Sequence, residues 1–184
     1  MSSSEQTKTQ LGDREHPLVA SVQRSGASPV GRDELVDAFL AASRALVGVA
    51  ARSLAELAED VTLAQYRVLI ELAARGPQRL ADLAEVLRVD RSTATRMCER
   101  LVRKHLIQRR RIASDRRSVR ISLSTSGRLL VKEVSARRRQ EIARILRRLP
   151  AADRASALNS LRAFAEAAGE VPEQDWALGW DVSS

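Results

Sequence analysis

Arginine is the residue with most chemistry to offer in this sequence. From Arg88 to Arg120 the chain places twelve basic side chains against three acidic ones, a formal +9, while all 184 residues together carry +8. The excess is confined to one stretch, and the remainder is close to neutral. A guanidinium forks onto phosphate oxygens or the edge of a guanine, so such a cluster suits an anionic polymer. Charge alone does not separate DNA from RNA or an acidic membrane surface. Phe, Trp and Tyr make up 3% of the chain and none lies between Arg88 and Arg120. Recognition of single strands or RNA loops by stacking therefore lacks its side chains, which favours a duplex.

The spacing inside the cluster sharpens this. Asp90 can cap a helix running to about Lys104. At about 100° per residue, Ala94, Met97, Cys98 and Leu101 fall on one side and should face a core. Ser92, Arg96, Glu99 and Arg103 fall opposite, flanked by Thr95 and Arg100. A solvated surface helix could also carry arginine. Hydroxyls mixed with arginines suit a groove better, because the short side chains let the backbone come near phosphates and bases.

Other chemistry finds no foothold. Cys98 is the sole cysteine and His16 and His105 the only histidines, so neither an internal disulfide nor a zinc site is expected. The sequence holds no Gly-x-Ser-x-Gly elbow, phosphate-cradling glycine loop or Gly-x-Gly-x-x-Gly, and neither an enzyme nor a cofactor is expected. No run of about 18 apolar residues suggests a membrane span. Met1–Gln10 lacks the apolar stretch of a signal peptide, and the expected location is cytoplasmic.

The elements that must position the cluster follow from periodicity. Residues 1–31, rich in Ser, Gln, Gly and Pro, are expected to be a mobile tail. A helix from Asp33 to about Glu59 carries Leu35, Val36, Phe39, Leu40, Leu46, Val47, Leu54 and Leu57, more apolar face than one layer uses. Thr62 and Gln65 match a capping box, and Gly76-Pro77 ends the helix behind it. Leu80, Leu83, Ala84 and Leu87 give a short helix, which with the 90–104 helix makes a helix-turn-helix. Then the period changes. Residues 106–112 and Val119, Ile121 and Leu123 read as two strands joined by a polar loop, 113–118. Helices follow over 124–149 and 151–168, broken at Pro150.

Together these residues resemble the MarR family of winged-helix regulators over about 33–168. The most specific part is Asp90-Arg-Ser-Thr-Ala-Thr-Arg96, then Asp115-Arg-Arg117, Ile121-Ser-Leu123-Ser124 and Gly127. Ser124 stands where the family usually has Thr, one hydroxyl cap for another. The resemblance implies a mainly α fold with a small β-hairpin wing. It divides the chain into dimerisation helices (32–60 and 124–168), a DNA-binding lobe (61–123) and a carboxyl-terminal tail (169–184). It implies a homodimer that regulates transcription, as a repressor on a palindromic operator in double-stranded DNA. The 90–104 helix would enter the major groove, with Arg91, Ser92, Thr93, Thr95, Arg96, Arg100 and Arg103 as the contacting set. The wing would set Arg117, or failing that Arg116, against the minor groove, with Asp115 orienting an arginine. Many members release DNA when a small anionic or phenolic ligand binds between the dimer helices and the lobe. Tyr66 lies near that position, where a tyrosine also serves as core.

Cys98 is expected on the inward face, where a thiol is inert. Trp176 and Trp180, at i, i+4 among Glu173, Asp175 and Asp181, lie beyond the resemblance. They either dock on their own dimer or form an acidic-aromatic segment for a partner or for the basic face. A chromosome-organising protein with little sequence preference is the competing function.

Overall fold

The computed structural model describes residues 31–112 and 115–177, without the side chains of 110–118. The expected mobile tail, His16 and Trp180 lie outside the described residues. The chain divides into two units, Met1–Ala38 and Phe39–Ser184. Of the first, the described part is the start of helix α1 (Arg32–Ala55), with Leu35 and Val36 exposed.

Helix α1 stops four residues before its expected end. The chain turns through 56–60, with the Leu57 and Ala58 N–H groups both donating to the Leu54 carbonyl at 3.1 and 2.8 Å. A turn that folds back keeps residues three apart on one side, so Leu57 and Ala58 still pack on the core. The apolar period thus outruns the helix. Helix α2 (Leu63–Arg75) begins on the capping box, with Gln65 N–H on Thr62 Oγ1 and Thr62 N–H on Gln65 Oε1, each 3.2 Å. It ends at Gly76, whose φ of 75° lies in the left-handed region that glycine enters freely.

Strand β1 (Gln78–Arg79) was not expected, since two residues show no period. It leads into α3 (Leu80–Val86) and α4 (Arg91–Arg103). The turn between these helices holds Arg88 at φ 52°, a left-handed conformation rare for a side chain of this size. Strands β2 (Ile107–Ile112) and β3 (Asp115–Leu123) complete an antiparallel sheet of order β1-β3-β2, with Gln78 opposite Ile121 and Ile107 opposite Leu123. Strand β3 begins at Asp115, so Ser118, Arg117, Arg116 and Asp115 are strand and not the loop their polarity suggested. Asp115 pairs with Ile112 after a register shift at Arg111/Ile112. A short two-stranded ribbon can form from backbone pairing without apolar alternation, and its sequence then looks like a loop.

Helix α5 (Thr125–Leu146) starts on Ser124, whose Oγ accepts from Gly127 N–H at 3.0 Å and donates to the His105 carbonyl at 2.5 Å. A Cβ on Gly127 would run into the Leu106 carbonyl oxygen. The Ser124–Gly127 pair therefore lets α5 start against the beginning of β2. Helix α6 (Ala151–Ala167) follows, then a single 3-10 turn (Glu173–Asp175). The core joins Val68, Leu69 and Leu72 of α2, Leu83 of α3, Leu101 of α4, Ile121 and Leu123 of β3, and Val131 and Val134 of α5. Trp176 belongs to it as well. Among the described residues, α6 contributes none that is buried.

Candidate nucleic-acid interface

The surface of α4 is built from its cap outward. Asp90 Oδ1 accepts from Thr93 N–H at 2.8 Å and from Ser92 Oγ at 2.6 Å, and Oδ2 accepts from Thr93 Oγ1 at 2.7 Å. These hydroxyl bonds, the Ser92 one foremost, hold the exposed Asp90 carboxyl well below the usual carboxylate range. Thr95 Oγ1 donates to the Arg91 carbonyl at 2.7 Å. The hydroxyl protons of Ser92, Thr93 and Thr95 are thus committed to the helix itself. What these side chains leave open is small size and acceptor oxygens.

Inward, Ala94, Cys98 and Leu101 are buried, with Met97 and Val102 half-buried against the core. Outward, Arg91, Ser92, Arg96, Glu99, Arg100 and Arg103 are exposed, while Thr93 and Thr95 are intermediate. Among the described residues, none of Arg91, Arg96, Arg100 and Arg103 is in an ion pair; Arg96 Nη2 reaches only Thr93 Oγ1, at 3.1 Å. The structure brings the seven sequence-derived α4 positions onto one helix. It carries Asp115, Arg116 and Arg117 on the first part of β3, and their side chains lie outside those described.

Elsewhere arginine meets carboxylate. Glu71, 3% exposed, lies between Arg67 at 2.8 Å and Arg75 at 3.0 Å. Arg52 pairs with Glu141, Arg137 with Glu56, Lys104 with Asp60 and Arg139 with Glu173.

Cys98, 1% exposed, is a buried thiol whose pKa burial pushes up to about 11, with Arg109 pulling the other way. It is protonated at neutral pH and a poor nucleophile.

A second cluster lies behind α2. Tyr66 is buried, and burial raises its phenol pKa above the ordinary value against the pull of Ser135 and Arg138. Tyr66 Oη, Ser135 Oγ and Arg138 Nε are buried, with Ser135 and Arg138 near enough to act on the phenol, and among the described residues none of the three atoms makes a well-formed hydrogen bond. Ser135 and Arg138 line a cavity of about 400 Å³ with Arg139, Ile142, Leu146 and Glu173. Sequence reading found only Tyr66. Ser135 and Arg138 are one turn apart on α5, but nothing in their spacing says that α2 packs there.

The segment after α6 forms a strap along α2. Arg67 holds the Glu170 carboxylate at 3.0 and 2.5 Å, and Arg75 Nη2 donates to the Gly169 carbonyl at 2.9 Å. Ala177 N–H donates to the Ala74 carbonyl at 3.1 Å. Trp176, 7% exposed, donates its indole N–H to the Val171 carbonyl at 2.9 Å. Trp176 therefore docks on its own chain.

A short three-stranded sheet and a helix pair that turns an unpaired cationic face outward define a winged helix-turn-helix protein. The MarR family matches over residues 61–119. The transcriptional repressor MdtR of Bacillus subtilis is 33% identical over 121 residues, 66% of this chain and 78% of that protein. The crystal structure of RV1404 from Mycobacterium tuberculosis is 40% identical, covers 79% of this chain and 99% of its own, and superposes with a TM-score of 0.73. A mutant of Staphylococcus aureus MepR bound to an oligodeoxyribonucleotide shares the fold at 23% identity and a TM-score of 0.53, over 72% of this chain and 96% of its own. The chain belongs to the MarR family: it is a DNA-binding transcription regulator and not an enzyme. No described helix is long and apolar enough to cross a membrane.

Proposed function

We propose that the protein is a homodimeric repressor that binds an inverted repeat and leaves it when a small anionic or phenolic ligand binds. The observation that carries the reading is the bare cationic face of α4. Four arginines stand exposed without carboxylate partners among the described residues, although the chain pairs arginine with carboxylate at several other places. Arg91, Ser92, Thr93, Thr95, Arg96, Arg100 and Arg103 are the residues we assign to the major groove. Arg117, with Arg116 second, is assigned to the minor groove beside it, where negative potential is strongest.

The second protomer is proposed to cover the helices that their own chain leaves bare. Leu40, Leu46 and Val47 of α1 and Leu158, Leu161 and Phe164 of α6 are exposed, and Phe39 stacks on Phe164 at 4.6 Å between ring centroids. Covering each such side chain is worth about 1 kcal/mol or more, so two helices from each protomer suffice for a lasting dimer. This assigns 32–60 and 124–168 to dimerisation and 61–123 to DNA. The effector is assigned to the cavity beside Tyr66, where Arg138, Arg139 and Ser135 suit an acid or phenol and Ile142 and Leu146 suit its apolar body.

Footprinting on the promoter nearest the protein's own gene, at physiological salt, tests the reading. The expected result is protection of two half-sites about 10 base pairs apart, centre to centre. Uniform weak protection that vanishes with salt would instead indicate a chromosome-organising protein.

A further inference from the structure

The cavity on α5 already has an anion at its mouth. Glu173, on the 3-10 turn of the strap, lines it and holds Arg139 at 2.6 Å. The same cavity is lined by Arg138 and Ser135, whose Nε and Oγ are buried beside the Tyr66 phenol, and among the described residues Arg138 meets no carboxylate. The chain has thus set a carboxylate on Arg139 and, among the described residues, none on Arg138. Three residues further on, Trp176 is buried in the core, and Ala177 ties the strap to α2.

We infer that the strap is a built-in competitor for the effector cavity: a ligand carboxylate that takes Arg138 and Arg139 displaces Glu173 and draws Trp176 out of the core. This rests on the effector reading above and adds its mechanism. Displacement requires no covalent change, only exchange of one carboxylate for another on Arg139. The occupant class is a small acid with an apolar body, because the inner wall offers Arg138 and Ser135 while Ile142, Ala143 and Leu146 offer no polar side chain. The consequence reaches the DNA-binding lobe through α2. Glu170, Gly169 and Ala177 hold the strap to Arg67, Arg75 and Ala74 of that helix, and α2 packs directly on α4. A lifted strap frees α2, and with it α4, from the end of α6.

The two tryptophans of the chain make the motion visible. In the full chain carrying Trp180→Phe, Trp176 is the only indole. Sodium benzoate, the simplest joining of a carboxylate to an apolar ring, is titrated against sodium chloride at equal ionic strength. Binding is measured by calorimetry and Trp176 by its emission, with and without Glu173→Gln. The expected result is a shift of Trp176 emission toward that of a water-exposed indole on benzoate binding. Benzoate should also bind the chain that keeps Glu173 about two- to fivefold more weakly than the Glu173→Gln variant, the worth of a partly exposed ion pair. Tighter binding to Glu173→Gln without any change at Trp176 would mean that Glu173 acts through charge alone, and would overturn the displacement. Equal binding to both with an unmoved indole would also overturn it and leave the effector reading standing. No binding to either would remove both.

Discussion

On α4 the apolar side chains turn inward, and among the described residues its outward arginines meet no carboxylate; on α1 and α5 four arginines do meet carboxylates, and on α1 and α6 apolar side chains stand uncovered. Ala94, Cys98 and Leu101 are buried while Arg96, Arg100 and Arg103 face outward without a carboxylate partner among the described residues. Arg52, Arg137, Arg139 and Arg144 each have a carboxylate, while Leu46, Leu158 and Phe164 stand in the open. The difference teaches that each region advertises its partner by what it leaves unsatisfied. An unpaired cationic face calls for an anion, and an uncovered apolar face calls for another apolar face. Total charge hides this, because it counts the arginines that carboxylates neutralise within the chain together with those that none meets.

The comparison can be broken first at α6. Phe164→Asp places a charge on the uncovered face and should cost the dimer about 2–4 kcal/mol, the scale of a central anchor at an interface. Sedimentation should then show monomers at micromolar concentration with the helical content retained; an unchanged dimer would mean that α6 does not face a partner. On α4, Leu101→Ala removes a fully buried side chain and should cost about 2–5 kcal/mol in urea unfolding. Its counterpart on the outer side, Arg103→Ala, should leave the unfolding midpoint nearly unchanged. If both shift it equally, the two faces of α4 are not distinct.

Smaller effects sharpen the same contrast. Arg117→Ala should weaken operator binding by about 1 kcal/mol and lower the slope of log affinity against log salt by about one to two units, since a dimer has two wings. Its melting temperature should stay as in the parent, and an unchanged salt slope would take the wing off the DNA. The least effect concerns the α4 cap. The Asp90 carboxyl titrates lower in the folded chain than in the unfolded one, so its contribution is present above about pH 4 and is lost as the pH falls through its folded value. Melting temperature measured from about pH 5 down to about pH 2.5 should fall less steeply in Asp90→Asn than in the parent. Parallel curves would mean that the Ser92 and Thr93 bonds do not hold the charge.

How much of this could be read from the residues depends on whether the signal was local. The buried side of α4 and the Thr62 capping box lie within one helix or its cap, where spacing reports them, while Ser124 and Gly127 were picked out by the family resemblance. Strand β1 pairs Gln78 with Ile121, far away in sequence, and two residues carry no period that could announce it. Polarity misread the wing, since 115–118 is strand, and periodicity overran the end of α1. The cavity was nearly invisible. Tyr66 could be singled out by its place near the family's ligand position, but Ser135, Arg138 and Glu173 come together only once α2, α5 and the strap are packed. For Trp176 the residues left docking and a partner segment both open, and its place in the core was not legible.

The claim that α4 is the DNA-reading face is tested most directly by one paired measurement, the operator affinity of Arg96→Ala beside that of Arg137→Ala. Both changes remove one guanidinium and the same charge. Arg96 has no carboxylate, and Arg137 has Glu56. The account predicts a loss of about 1–3 kcal/mol for Arg96→Ala, confined to one symmetric operator position, and an affinity close to the parent for Arg137→Ala. Equal losses for the two variants would show that only net charge matters, and would contradict the assignment of α4 as the element that reads DNA.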